Sequence, residues 1–239
     1  MAVTVDIDHE AGNLTEYTST ATDGGHMSVA AGAALAGTNY GLSCLIADTT
    51  VMYGQYSPIT QSAAYSARFY LDPNAIAMAN NDAFIVFITQ QAGGSYNYLA
   101  SVSLRYTTAA GYRISGNAYD DAGASVAATY FDANITDAPH YIEIKEVQAA
   151  TDSSADGTFQ MLLDGVSLGT SIGFDNYNAM LDNNWRIRIG APGGDLDAGT
   201  AGTFFLDQLV MNNDGALIGP VAAAGGVPKQ MMHYKRMRA

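Results

Sequence analysis

The sequence predicts an all-β fold: an antiparallel β-sandwich of about a dozen strands, ending in a short irregular C-terminal extension. Three observations carry this. Short runs rich in β-branched and aromatic residues recur along the chain, each bounded by Gly, Asn, Asp or Pro. Two of these runs flank Asp164-Gly165, a strong local signal for a tight hairpin. Nothing in the chain keeps a helical period for more than about one turn. The 239 residues, 48% hydrophobic and only 14% charged, suffice for one substantial core and argue against disorder.

In order, VDIDHEAGNLTEY at the start reads as a short strand followed by a loop with Glu10, Gly12 and Asn13. Residues 27–34 form a small-residue strand, and GTNYGLSCLIA holds another that begins near Gly41. AYSARFYL (64–71) alternates and stops at Asp72-Pro73, because proline cannot continue the ladder. Residues 75–79 are expected to make a helical turn. AFIVFIT (83–89) is apolar throughout and reads as a strand buried on both faces. Three short strands follow at 98–106, 111–119 and 125–131, separated by AAG and DDAG turns.

YIEIKEV (141–147) places Tyr141, Glu143 and Lys145 opposite Ile142 and Ile144. The hairpin 159–163/166–169 comes next, then an irregular stretch at 178–184. WRIRIG (185–190) sends Trp185 inward with Ile187 and Ile189, and Arg186 and Arg188 the other way. The last strand, within GTFFLDQLVMNNDGALIG, carries a lone Asp207 among Phe204, Phe205, Leu206, Leu209 and Val210. A carboxylate there needs either a metal or several hydrogen-bond donors. The sandwich is expected to span 1–220, with an Ala/Gly linker and basic tail over 221–239.

The net charge of −13 is uneven. All 23 acidic residues precede Pro228 with only six basic ones, so the body carries −17. Such a body repels nucleic acid. The tail, KQMMHYKRMRA, has four basic residues and no acidic one. It interleaves charge with contact surface, and Lys229, Met232, Tyr234, Lys235, Arg236 and Arg238 are its candidate docking residues. Cys44 is single, which excludes an intramolecular disulfide framework. The start has neither a basic region nor a continuous apolar run of the signal-peptide kind, and no run is long enough to span a membrane. The expectation is synthesis in the cytoplasm, no membrane association, and release by lysis.

The order of HEAGNLTEY, AALAGTNYGL, SARFYLDP, HYIEIKEV, DGTFQMLLDGVSLGT, WRIRIGAP and GTFFLDQLVM resembles the concanavalin A-like lectin/glucanase superfamily, in its laminin G-like and laminarinase-like branches. The resemblance spans roughly residues 5–219. It implies a jelly roll of two curved sheets with a glycan-holding concave face. It also implies one structural calcium joining the first and last strands, held by Glu10, the carbonyl of Gly41 and Asp207. Backbone N–H groups from a neighbouring loop are the alternative partners for Asp207.

Glucanases of this superfamily carry Glu-x-Asp-x-Glu or Glu-x-Asp-x-x-Glu on one strand. The only candidate here, Glu143 and Glu146, lacks the aspartate, and its spacing of three puts the two side chains on opposite faces. Both read as solvated strand residues. No Gly-x-Ser-x-Gly elbow or His-Glu-x-x-His is present, and His9, His26, His140 and His233 are dispersed. Hydrolysis is therefore not expected. For carbohydrate, the tyrosines on consecutive strands stand out, and Tyr98, Arg105, Tyr112 and Arg113 are the candidate ligand contacts.

The reading is a non-catalytic assembly protein, a virion or surface-array subunit that self-associates partly through its tail or binds other structural proteins. The alternative is a carbohydrate-binding module for a polysaccharide, with a polysaccharide-cleaving enzyme ranked after it.

Overall fold

The computed structural model describes residues 3–92, 98–181 and 184–221. In chain order the strands begin with β1 (Val3–Ile7), β2 (Ser19–Ala21), β3 (Met27–Ala30), β4 (Gly41–Ile46), β5 (Met52–Ile59) and β6 (Ala64–Asp72). Next come β7 (Ala83–Gln91), β8 (Tyr98–Thr107), β9 (Gly111–Ala118), β10 (Phe131–Asn134) and β11 (His140–Val147). The chain closes with β12 (Gly157–Leu163), β13 (Val166–Phe174), β14 (Trp185–Ala191), β15 (Gly194–Asp195) and β16 (Gly202–Asn212). The longest helical piece among the described residues is α1, Tyr177–Met180.

These strands form two eight-stranded antiparallel sheets, as the sequence leads one to expect. The first runs β13-β12-β11-β6-β16-β4-β3, with β1 also paired to β16. The second runs β10-β9-β8-β7-β14-β5-β2, with β15 on β7. Alternation points one face of each sheet inward, and the inner side chains meet in aromatic pairs across the gap. Phe69 stacks on Phe87 at 5.1 Å, Phe84 tilts against Phe204 at 5.3 Å, and Trp185 lies edge-on to Tyr65 at 5.6 Å. Trp185 is thus a core residue with Ile187 and Ile189.

Four local expectations need correction. Residues 75–79 form a turn and a single bridge, Ala77 to Ala201, because Asn74 and Ala75 adopt positive φ and break any helix. The strand expected at 125–131 is a short 3₁₀ turn over Ala127–Thr129, with β10 starting only at Phe131. The stretch expected to be irregular at 178–184 overlaps α1 over residues 178–180. Glu143 and Glu146 are buried rather than solvated.

Those two glutamates do leave β11 on opposite faces, each into a different enclosure. Glu143 accepts the backbone N–H groups of Ile218 (2.5 Å) and Gly219 (3.1 Å). Tyr70 accepts the N–H of Val221 at 2.9 Å, so residues 213–221 are strapped across the outer face of the first sheet. Glu146 points inward, accepting the Tyr65 hydroxyl (2.7 Å) and the Asn176 amide (2.9 Å). Burial pushes its carboxyl up to about 7, while those two hydrogen bonds pull the other way.

The ends of the sandwich are joined at Asp207. β1 pairs with β16 through Ile7↔Leu209, and the ladder between β16 and β6 shifts register after Asp207, where Gln208 takes φ 52°. Asp207 is fully buried. One carboxylate oxygen accepts His9 Nδ1 (3.0 Å) and the Gln208 N–H (2.8 Å). The other accepts the Leu35 N–H (2.9 Å) and the Thr38 hydroxyl (2.5 Å). His9 Nε2 meets the Tyr17 hydroxyl at 2.8 Å. The loops before β2 and before β4 are thereby fixed to the last strand.

Removing the carboxylate strands these donors in an enclosed site. Asp207→Ala should cost about 3–5 kcal/mol, lowering Tm by on the order of 10 °C. Differential scanning calorimetry of the variant checks this; an unchanged Tm would contradict it.

Candidate functional site

Of the six basic residues in the acidic body, four lie on one surface: Arg105, Arg113, Arg186 and Arg188. All four project from the outer face of the second sheet, because each alternates with an inward core residue such as Leu104, Ile114 or Ile187. This places four of the six cations of a −17 body on one face.

A cleft of about 230 Å³ opens on this face, lined by Ile85, Ile88, Gln90, Tyr98, Arg186 and Arg188 together with Pro192 and Gly193. The outward side of β7 therefore forms an apolar floor, which is why its sequence reads as buried on both faces. Tyr98 reaches the cleft through a bulge. Thr89 pairs with Ala100 but Gln90 pairs with Tyr98, so Leu99 is the extra residue and Tyr98 turns to the side of Gln90.

Arg188 is held from two sides. Its Nε donates to Gln55 Oε1 at 2.8 Å, and its guanidinium stacks over the Tyr53 ring at 4.1 Å. Both partners come from β5, whose inward residue between them is Gly54. Only glycine fits there, since an added Cβ would collide with the Tyr17 ring. Beyond Tyr98, the floor continues into Tyr119 (ring centroids 5.2 Å apart), Ser101 and Asn117, which are joined by 3.1 Å hydrogen bonds centred on the Ser101 hydroxyl. At the far side, Arg113 is ion-paired to Asp132, and Arg105 lies 5.7 Å from the centroid of Tyr130.

Of the four residues expected to contact carbohydrate, Tyr98, Arg105 and Arg113 are on this face. Tyr112 is not: its ring packs against Tyr106 and its hydroxyl donates to the Ile76 carbonyl at 2.5 Å. Sequence reasoning missed Gln55 and Tyr53, because β5 contains Gly54 and Pro58 and lacks a strand pattern. It also set Arg186 and Arg188 aside, although the alternation in WRIRIG already placed them together.

Of the three residues expected to bind calcium, both carboxylates already have hydrogen-bond donors on their oxygens. Glu10 is exposed and accepts the Asn39 side chain (2.5 Å) and the N–H groups of Asn39 (2.7 Å) and Tyr40 (3.2 Å), which hold its carboxyl below the ordinary range. Asp207 already has a donor set on each oxygen, pointing N–H and O–H groups where a cation would stand. No group of three or more metal-ligating side chains occurs among the described residues. The donor set does not fit a shared ion. The tail residues Lys229, Met232, Tyr234, Lys235, Arg236 and Arg238 lie outside the described residues. Among the described residues, no helix is long and apolar enough to cross a membrane.

No family model and no curated protein sequence matches the chain. Solved structures do. The chain is similar to endo-β-1,4-glucuronan lyase from the fungus Trichoderma reesei (TM-score 0.62, 10% identity, covering 93% of this chain and 100% of that one). A variant of alginate lyase Aly36B in complex with an alginate tetrasaccharide gives TM-score 0.61 at 11% identity, covering 91% and 100%. Alginate lyase vAL-1 from Chlorella virus gives 0.59 at 10%, covering 88% and 99%. The shared feature is the concanavalin A-like jelly-roll fold.

These likenesses correct the expectation of a non-catalytic assembly subunit, since polysaccharide lyases are among the solved proteins that share the fold along nearly the whole chain. That expectation leaned on the missing glucanase carboxylates. Elimination chemistry does not require such a pair, so their absence does not exclude catalysis.

If Asp207 is satisfied by donors alone, metal removal has nothing to destabilise. Tm in excess EDTA should equal that in added calcium; a rise of several degrees with calcium would restore the metal.

Proposed function

We propose that the chain is a polysaccharide lyase acting on an acidic, uronate-bearing polymer that lies across the outer face of the second sheet. The observation that carries this is the placing of Arg105, Arg113, Arg186 and Arg188 on one face of a strongly acidic body, with Arg186 and Arg188 lining a cleft beside Tyr98. Tyrosine rings suit the faces of sugar rings, and guanidinium groups suit carboxylates.

The chemistry asked of the cleft is modest. Pairing of a uronate carboxylate with Arg186 and Arg188, aided by the Gln90 amide, stabilises the negative charge that develops when the C5 proton leaves. The C4–O bond then breaks, the C4=C5 double bond forms, and the departing oxygen takes a proton. We assign that proton transfer to Tyr98 and its neighbour Tyr119: one acts as phenolate and takes the C5 proton, and a phenol O–H of the pair then protonates the departing oxygen. Gln55 and Tyr53 hold Arg188 in position. The like-for-like fold of the glucuronan and alginate lyases supports this reading.

Incubation of the full chain with alginate, glucuronan and polygalacturonate, followed by ultraviolet detection of the unsaturated product, tests it. Turnover of at least one polymer is expected, with Arg188→Ala lowering kcat/KM about 10²–10³-fold and a neutral β-glucan left intact. Binding without product would leave a carbohydrate-binding module, and neither binding nor product on any acidic polymer would overturn the proposal.

A further inference from the structure

Beneath the cleft, a buried carboxyl is wired to the residue that shapes it. Glu146 Oε2 lies 2.7 Å from the Tyr65 hydroxyl, which lies 2.7 Å from Thr89 Oγ1. Thr89 grips the Leu99 bulge from both sides: its hydroxyl accepts the Ala100 N–H at 3.0 Å and donates to the Ala100 carbonyl at 3.4 Å. That bulge turns Tyr98 into the cleft. The relay therefore crosses from the first sheet to the second and ends on a cleft-shaping element.

A second link runs through Asn176, whose amide donates to Glu146 Oε1 and whose carbonyl oxygen accepts the Ala149 N–H at 2.8 Å. Asn176 precedes α1, and the Ala179 carbonyl on α1 accepts the Gln91 amide at 2.9 Å. Both links converge on the end of β7 that carries Gln90.

We infer that gain or loss of a proton at Glu146 regulates this cleft, by reversing the hydrogen bonds through Tyr65 and Thr89 and so tightening or releasing the bulge that aims Tyr98. With Glu146 neutral, its O–H donates to Tyr65, Tyr65 donates to Thr89, and the Thr89 proton is left for the Ala100 carbonyl. With Glu146 ionised, Tyr65 donates to the carboxylate, and the Thr89 hydroxyl turns to the Tyr65 oxygen. The bulge then loses one hydrogen bond.

The surroundings of Glu146 favour such a switch. It is bonded to Tyr65 from β6 and to Asn176 just before α1, Thr89 of β7 and Met180 of α1 stand behind those two, and its partner across β12 is Phe159. Lys145 alternates to the other side of β11, and Asp175 is occupied with the Tyr177 N–H. No cation faces the carboxyl among the described residues, and burial raises its pKa to about 7. As a claim about the cleft as a working site, this rests on the polysaccharide reading; as a claim about the bulge, it does not.

The test uses the full chain without ligand first. Trp185, the single tryptophan, sits edge-on to Tyr65, so its fluorescence should report a one-proton transition with a midpoint near pH 7. Amide exchange at residues 98–101, corrected for its intrinsic pH dependence, should be about fivefold faster at pH 8 than at pH 6, as loss of one hydrogen bond implies. Glu146→Gln, a neutral mimic, should abolish both effects. Tyr65→Phe keeps the acid and cuts the relay, so it should keep a fluorescence transition and lose the exchange effect. Equal exchange at both pH values in the native chain, or the same pH effect in Glu146→Gln, would overturn the inference. Alginate tetrasaccharide, measured by calorimetry, should bind more weakly at pH 8 than at pH 6 only in the native chain; no binding at either pH would instead count against the polysaccharide reading.

Discussion

A buried carboxylate that must be neutralised sets the geometry of this sandwich. Asp207 sits where β16 changes register, enclosed by apolar neighbours, and it is tolerable there only because four donors converge on it. Those donors come from the loops that precede β2 and β4 and from β16 itself, so satisfying one charge fixes the first forty residues against the last strand. The constraint reaches the second sheet as well. His9 passes from Asp207 to Tyr17, the Tyr17 ring covers Gly54, and the neighbours of Gly54 on β5 turn outward to hold Arg188. A charge buried at one seam thus locates a charge displayed at the cleft.

The two outer faces are then put to different uses. On the first sheet, residues 213–221 lie across β6 and β11 and are pinned by Glu143 and Tyr70. The second sheet has a cleft on its outer face and carries most of the basic residues the body possesses. An acidic body repels acidic polymers everywhere except over such a patch, which directs approach and orientation before any contact forms. Tyrosines and amides alongside the arginines supply the stacking and hydrogen bonding that a sugar chain needs.

Much of the fold was legible because alternation and turn chemistry are local. WRIRIG placed Trp185 in the core, and Asp164-Gly165 fixed a hairpin. The isolation of Asp207 announced the seam, but its partner was not readable. His9 is nearly two hundred residues away, and its role depends on a positive φ at that position and on loops with no pattern of their own. β5 was invisible for a related reason. Gly54 is demanded by Tyr17, and Gln55 by Arg188, so long-range contacts override strand propensity there. The burial of Glu143 and Glu146 could not be inferred either, since covering them requires a strap and a helix supplied from elsewhere in the chain. For the site, charge composition held the decisive clue. Six cations in the body are few enough that four on one face is a signal, but only the strand order brings Arg105 and Arg113 onto the same surface as Arg186 and Arg188.

The most direct test of the cleft as the ligand-binding face is nuclear magnetic resonance mapping of the labelled chain with short uronate oligosaccharides. Shift changes should cluster on β5, β7, β8 and β14, centred on Arg188 and Gln90, and should diminish as salt is added. Changes confined to the first sheet or to the C-terminal tail would contradict the account.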